Sequence, residues 1–246
     1  MLIAETPRFK IYRFFAFNSL RNYSYVIGEN ASRKSVVIDP WDGEALRDWC
    51  RSEDWGIQAV LNTHRHHDHT RGNEAFANEI VGATPSWLKQ LTSPGHTAEH
   101  VSYLLQDAGE VHLFVGDTLF QAGVGNCKNG GDPCTLFKTI SHWVESLIDA
   151  TCLHVGHDYL EKNLRFAQWI EPDNREVSLM LRQLDPQTTH FSAPHRWELE
   201  KEINPFLRLK SSSLRQHLFK LNPDLAKSPL SDEIVFVSLR KLRDQF

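Results

Sequence analysis

Apolar and polar positions change period several times along the chain. Residues 10–17 and 23–27 are dense in aromatic and β-branched side chains and read as two strands, with Gly28, Glu29 and Asn30 turning the chain after the second. Residues 35–39 form a third strand, ended by Pro40, which has no amide hydrogen to give to a ladder. A helical period over 42–54 precedes a short apolar strand, 57–61. Residues 72–80 read as a short helix, 101–105 and 111–115 as two strands, 135–149 as a helix and 152–155 as another strand. Strands alternating with helices, polar residues at strand ends and a largely helical remainder predict a layered α/β architecture. There are no internal repeats and no low-complexity segments.

Composition changes this picture little. The chain has 246 residues, 41% of them hydrophobic and 24% charged, which is enough for a sizeable core without disulfides. No run of eighteen apolar residues is present to span a membrane. The first ten residues lack the basic-then-apolar layout of a secretory signal, and Cys50, Cys127, Cys134 and Cys152 form no CxxC pair, so free thiols in a reducing cytoplasm are expected. Charge is uneven. Residues 201–246 hold nine Lys or Arg against five Asp or Glu, a net +4 on a chain of net −4. A basic tail segment on an acidic body points to local anion binding and away from nucleic acid.

The densest chemistry lies in Thr63-His64-Arg65-His66-His67-Asp68-His69, directly after the strand 57–61. Imidazole and carboxylate suit zinc, iron or manganese. In an extended segment residues two apart point the same way, so His64 and His66 can converge on one ion, while Asp68 and His69, beyond the bend, reach a second. Three more candidate ligands follow small residues at strand or loop ends: His96 after Pro94-Gly95, Asp117 after Gly116 and His157 after Gly156. Together they make seven ligands, enough for two ions sharing Asp117. His67 is read as a surface residue, and His100, His112, His142 and His154 as structural.

Thr-His-x-His-x-Asp-His over 63–69, Pro-Gly-His-Thr over 94–97, Gly-Asp-Thr-Leu-Phe over 116–120 and Gly-His-Asp-Tyr over 156–159, in that order, resemble the metallo-β-lactamase superfamily. Residues 163–167, 171–174, 204–208 and 239–246 are similar to its glyoxalase II, or hydroxyacylglutathione hydrolase, branch. The resemblance implies a four-layer αβ/βα sandwich over residues 1–158 and a C-terminal helical, substrate-binding domain over 159–246. It also implies His64, His66 and His96 on one divalent ion, Asp68, His69 and His157 on the other, and Asp117 bridging. Zinc is the default, with iron and manganese accepted by similar sets.

The implied activity is hydrolysis of a small thioester such as S-lactoylglutathione to D-lactate and glutathione. A water shared by two cations loses a proton near neutral pH and becomes the nucleophile, and Asp68 orients it or accepts a proton. Tyr159 matches a glutathione-contacting tyrosine, and Arg240 and Arg243 a basic pair that holds a glutathione carboxylate. Two departures stand out. Only 26 residues separate His69 from His96, and Asn126 and Lys128 align where the family has a lysine and a tyrosine, which opens the thiol carrier to other identities. The alternatives are a one-iron persulfide dioxygenase and a non-catalytic metal-binding protein of the same fold. A Gly-x-Ser-x-Gly elbow is absent from the sequence.

Overall fold

A computed structural model describes residues 1–77, 83–185, 187–191, 193–227 and 230–246. Five strands form a first sheet in chain order: β1 (Leu2–Glu5), β2 (Phe9–Phe15), β3 (Tyr23–Glu29), β4 (Lys34–Ile38) and β5 (Gly56–Leu61). All neighbours are antiparallel except β4 and β5, whose parallel pairing is reached through helix α1 (Gly43–Ser52). After the one-turn helix α2 (His67–Thr70) come β6 (Leu88–Thr92), β7 (Val101–Asp107) and β8 (Glu110–Gly116). A small hairpin of β9 (Leu119–Phe120) and β10 (Gly123–Val124) and helix α3 (Pro133–Ser146) lead to β11 (Cys152–Val155). The second sheet has the order β11-β8-β7-β6, with β11 parallel to β8.

Alternation along the strands assigns the two faces of the first sheet. Tyr23, Tyr25 and Ile27 of β3, Val36 and Ile38 of β4 and Ala59 and Leu61 of β5 enter the main core with Leu105, Leu113 and Phe114 of the second sheet. Between them Val26, Val37 and Val60 point the other way, onto Leu46 and Cys50 of α1. That helix starts where Asp42 accepts from Ala45 N at 3.0 Å. Helix α3 buries Leu136, Ile140 and Trp143, spaced four and three apart, in the main core.

Five helices follow: α4 (Leu160–Ile170), α5 (Arg175–Gln183), α6 (Trp197–Ile203), α7 (Ser212–Leu221) and α8 (Asp232–Gln245). Ala122 of the small hairpin packs with Leu160, Leu164 and Ala167 of α4, Val177 of α5 and Ile203 of α6. Phe166, Trp197, Leu214, Leu218, Phe236 and Leu239 continue the main core itself. The helices therefore extend the sandwich core across the hairpin.

Several elements differ from the sequence reading. Strands β1 and β6 were not expected. β6, Leu-Lys-Gln-Leu-Thr, buries only Leu88 fully and is held extended as an edge by pairing with β7. The helix expected over 72–80 is a 3-10 turn at Asn73–Phe76, and its residues 78–80 lie outside the described residues. Helix α3 stops at Ser146 because Leu147 is already extended, and β2 stops at Phe15 because Phe17 takes a left-handed φ of 48°. Among the described residues, no helix is long and apolar enough to cross a membrane.

His112 and His154 form a buried pair across β8 and β11, His112 Nδ1 lying 3.0 Å from His154 Nε2. Glu110 Oε2 lies 3.3 Å from His112 Nε2 and His154 Nδ1 has no partner among the described residues, so the consistent arrangement has His154 Nε2–H donating to His112, and His112 Nε2–H to Glu110. Burial holds both rings below the ordinary histidine range. An unfolded chain takes up protons on them near pH 6.5 while the folded chain does not, so stability falls as pH drops below about 6.5. Urea unfolding at pH 7.5 and 5.5 should show the lower midpoint at pH 5.5. His154→Phe, which keeps the stack on Phe114, should narrow the gap; an unchanged gap would mean that other groups carry it.

Candidate metal centre

The ends of β5, β8 and β11 lie side by side, and each carries ligand-type residues onto one edge of the sandwich. Beyond Leu61, Asn62 bends the chain. Its side-chain amide donates to His69 O at 2.7 Å and to Asn73 Oδ1 at 3.2 Å, which holds the turn of α2 against the strand end. His69 N returns to His66 O at 3.0 Å, so Asp68 and His69 come round to face the space above His64. Gly116 has a φ of +48°, and a Cβ at Gly156 would strike Asp117 Oδ1. The two glycines let β8 and β11 bring Asp117 and His157 to the same place.

Three overlapping groups result: His64, His66 and His96; His64, His69 and Asp117; and Asp68, His69 and His157. His66 Nδ1 lies 2.9 Å from His64 Nε2 and 3.0 Å from His96 Nε2. His69 Nε2 lies 3.1 Å from His157 Nε2. Asp117 Oδ2 is 3.2 Å from His157 Nε2 and 3.5 Å from His96 Nε2, and its Oδ1 is 3.4 Å from His69 Nε2. Asp68 Oδ2 is 3.4 Å from both His69 Nε2 and His157 Nε2. All seven candidate ligands therefore meet, with Asp117 between the two halves.

The outer ring nitrogens decide what the inner ones present. His69 Nδ1–H donates to Asp39 Oδ2 at 3.0 Å, His157 Nδ1–H to Leu20 O at 2.7 Å and His96 Nδ1–H to Asn126 O at 2.6 Å. His66 Nε2–H reaches Asn129 O at 3.2 Å. Thr63 Oγ1 donates to Asp39 Oδ2 at 2.7 Å and so accepts from His64 Nδ1–H at 3.0 Å. With these outward bonds, each ring that carries a single proton turns a bare lone pair inward, and lone pairs about 3 Å apart repel unless a cation lies among them. Asp117 Oδ1 is buried with no hydrogen-bond partner among the described residues, in agreement. The residues present fit divalent metal ions.

Without an ion, protons take part of that role. Burial works against charge on His69, but Asp117, Asp39 and Asp68 prevail and lift its pKa to about 9. Burial would raise Asp117; the His157, His69 and His96 rings hold it well below the usual carboxylate range instead. Burial pushes His100 down to about 3, so it is neutral and its Nε2 accepts Asp117 N–H at 3.2 Å.

Sequence reasoning missed Asp39, Asn22 and the carbonyls of Leu20, Asn126 and Asn129, and His100 does more than fill the core. Asp39 also accepts from Thr63 N at 2.7 Å, so one carboxylate braces His69 directly and His64 through Thr63. Its local signal in the sequence is an acidic residue between the apolar run Val36-Val37-Ile38 and Pro40; the left-handed φ of 50° emerges only in the fold. His67 is exposed.

Beside the centre lies a cavity of about 300 Å³, lined in part by Phe120, Lys128, Tyr159, Lys162, Arg240 and Arg243. Tyr159 stacks on His157 with ring centroids 4.9 Å apart and planes 3° from parallel, and Phe120 meets both edge-on. Arg240 is 5% exposed and already engaged: it donates to Val124 O at 2.7 Å and to Asp244 Oδ1 at 3.0 Å. Arg243 donates to Asn163 Oδ1 at 2.9 Å; burial, with Arg240 beside it, lowers its pKa to about 10, so it stays charged at neutral pH. Lys128 and Lys162 are exposed at the cavity wall.

Residues 20–85 match the metallo-beta-lactamase superfamily, and residues 158–246 match the hydroxyacylglutathione hydrolase C-terminus. A hydroxyacylglutathione hydrolase from Polaromonas sp. is 37% identical, the match covering 95% of this chain and 98% of that protein. One from Nitrosococcus oceani is 34% identical, over 93% and 97% of the two chains. Among solved structures, ETHE1 from Myxococcus xanthus superposes with a TM-score of 0.60, over 95% of this chain and 97% of its own, at 22% identity. That likeness is one of fold.

Proposed function

Because the chain belongs to the hydroxyacylglutathione hydrolase family, we propose that it cleaves a glutathione-derived thioester, S-lactoylglutathione being the reference substrate, with two divalent ions at the centre. The observation that carries this reading is the pair of ligand groups joined by Asp117 and opening beside a cationic cavity. Five imidazoles and two carboxylates suit zinc, and also iron or manganese. Such ions supply an acidified water and polarise the thioester carbonyl. Water adds its oxygen to the acyl carbon, the carbon–sulfur bond breaks, and the thiolate leaves to take a proton.

The protein's own residues do the rest. Asp68 keeps 18% of its side-chain surface open, twice that of Asp117, and is the carboxylate placed to orient the water. Tyr159 and Phe120 wall off the His157 side, where the thiol carrier lies along the cavity. Arg243, Lys128 and Lys162 face the carboxylates of that carrier, while Arg240 braces the wall through Val124 and Gly125. Helices 159–246 then act as the substrate-binding part, and four unpaired thiols accord with a reducing cytoplasm.

Hydrolysis of S-lactoylglutathione beside a matched thioester lacking glutathione, on protein of known metal content, tests this reading. A strong preference for the glutathione ester is expected. Equal turnover would move the thiol carrier elsewhere, and no turnover with two ions bound would overturn the hydrolase. Arg243→Ala should raise KM for the glutathione ester about tenfold, as loss of one charged contact does, with kcat little changed. An unchanged KM would remove Arg243 from substrate binding.

A further inference from the structure

We infer that Asn22 is a positioning residue that selectively sets the affinity of the second half of the centre, the Asp68–His69–His157 group, by holding one oxygen of Asp68 in place. The inference rests on the two-ion reading above.

Asp68 sits on a single helical turn, and its Oδ2 is the oxygen turned toward His69 and His157. Asn22 Nδ2 donates to that same Oδ2 at 2.9 Å. The Asn22 side chain is itself fixed. Asn22 is 1% exposed, its Oδ1 accepts from Asn18 Nδ2 at 2.8 Å, and its backbone N–H donates to Asn18 Oδ1 at 3.2 Å. Its amide hydrogens can therefore point only at Asp68. An oxygen that accepts one amide hydrogen bond keeps its other lone-pair direction for an ion; without that bond, a carboxylate on a partly open one-turn helix is free to rotate toward water.

The same loop also holds His157. Leu20 O accepts from His157 Nδ1–H, the backbone of Asn22 pairs with that of His157, and Tyr23 N donates to Gly156 O at 2.8 Å. Arg21, between them, takes a left-handed φ of 58° and is locked by an ion pair to Asp158 and a bond to Thr189 Oγ1 at 2.9 Å. The outward bonds of His64, His66 and His96 go instead to Thr63, Asn129 and Asn126. Loss of the Asn22 amide should therefore fall on one half of the centre, whereas a general structural defect would fall on both.

The test is equilibrium dialysis of metal-free protein against a series of buffered zinc concentrations, with bound zinc per chain measured by mass spectrometry. The wild type should reach two. Asn22→Ala should bind its first zinc as the wild type does and its second about 10- to 100-fold more weakly. Two unchanged affinities, or two equally weakened ones, would overturn the assignment. A wild type that saturates below two would overturn the two-ion reading itself, and the inference with it, without reference to any variant. If circular dichroism shows Asn22→Ala to be unfolded, Asn18→Ala takes its place. With the Asn22 amide free to turn, the second affinity should fall in the same direction but by less, and an unchanged second affinity would refute the role.

Discussion

Asp117→Asn should lower kcat/KM for the thioester on the order of a thousandfold and leave at most one ion bound per chain. Asp117 is the residue whose oxygens reach both halves of the centre, His96 on one side and His69 and His157 on the other. An amide of the same shape loses the negative charge and replaces one ligand oxygen with a nitrogen that has no lone pair to give. The fold should survive, because the backbone bond from Asp117 N to His100 and the turn at Gly116 do not involve the side chain. Metal analysis and steady-state kinetics on one preparation check both parts. Wild-type turnover would remove the centre as the site of reaction.

Asp39→Ala should be the most destabilising single change near the centre. The carboxylate is 4% exposed and accepts from Thr63 N, Thr63 Oγ1 and His69 Nδ1. Its removal strands at least two buried donors at about 1–3 kcal/mol each, and alanine tolerates the left-handed backbone at this position poorly. A total of roughly 3–6 kcal/mol would be a large share of the stability of a domain. Urea unfolding of metal-free protein reads this directly. Asp39→Asn, which keeps an acceptor oxygen, should fall between wild type and alanine, and an alanine variant as stable as wild type would refute the brace.

Much of this is legible in the sequence, and the pattern of what is not is physical. The candidate metal ligands stand in short motifs at strand ends, where a few side chains of unusual chemistry follow small residues, so His64, His96, Asp117 and His157 are visible one motif at a time. β3, β4 and the end of β5 are visible because successive residues are buried there on both faces and read as dense apolar runs. β1 and β6 are not, since β1 exposes Leu2 and Glu5, β6 buries only Leu88 fully, and each is held extended by its one neighbour. Asp39 and Asn22 act on residues 30 and 46 positions away, and nothing in their local sequence announces those partners. Arg240 shows the same limit from the other side. Its charge can be counted in the sequence, but its commitment to the carbonyls of Val124 and Gly125 cannot.

The main core runs from Phe9 through the sandwich to Leu239 in α8, and this bears on synthesis at the ribosome. The seven candidate ligands lie within residues 64–157, so all of them leave the ribosome before α8 does, while the surface that α8 covers stays bare. Arg240 and Arg243 arrive with that helix and complete the cavity wall. A chain without α8 would carry every candidate ligand yet lack both arginines of the cavity wall and the core contacts of Val235, Phe236 and Leu239. Closure of the core and closure of the cavity wall therefore both wait on α8.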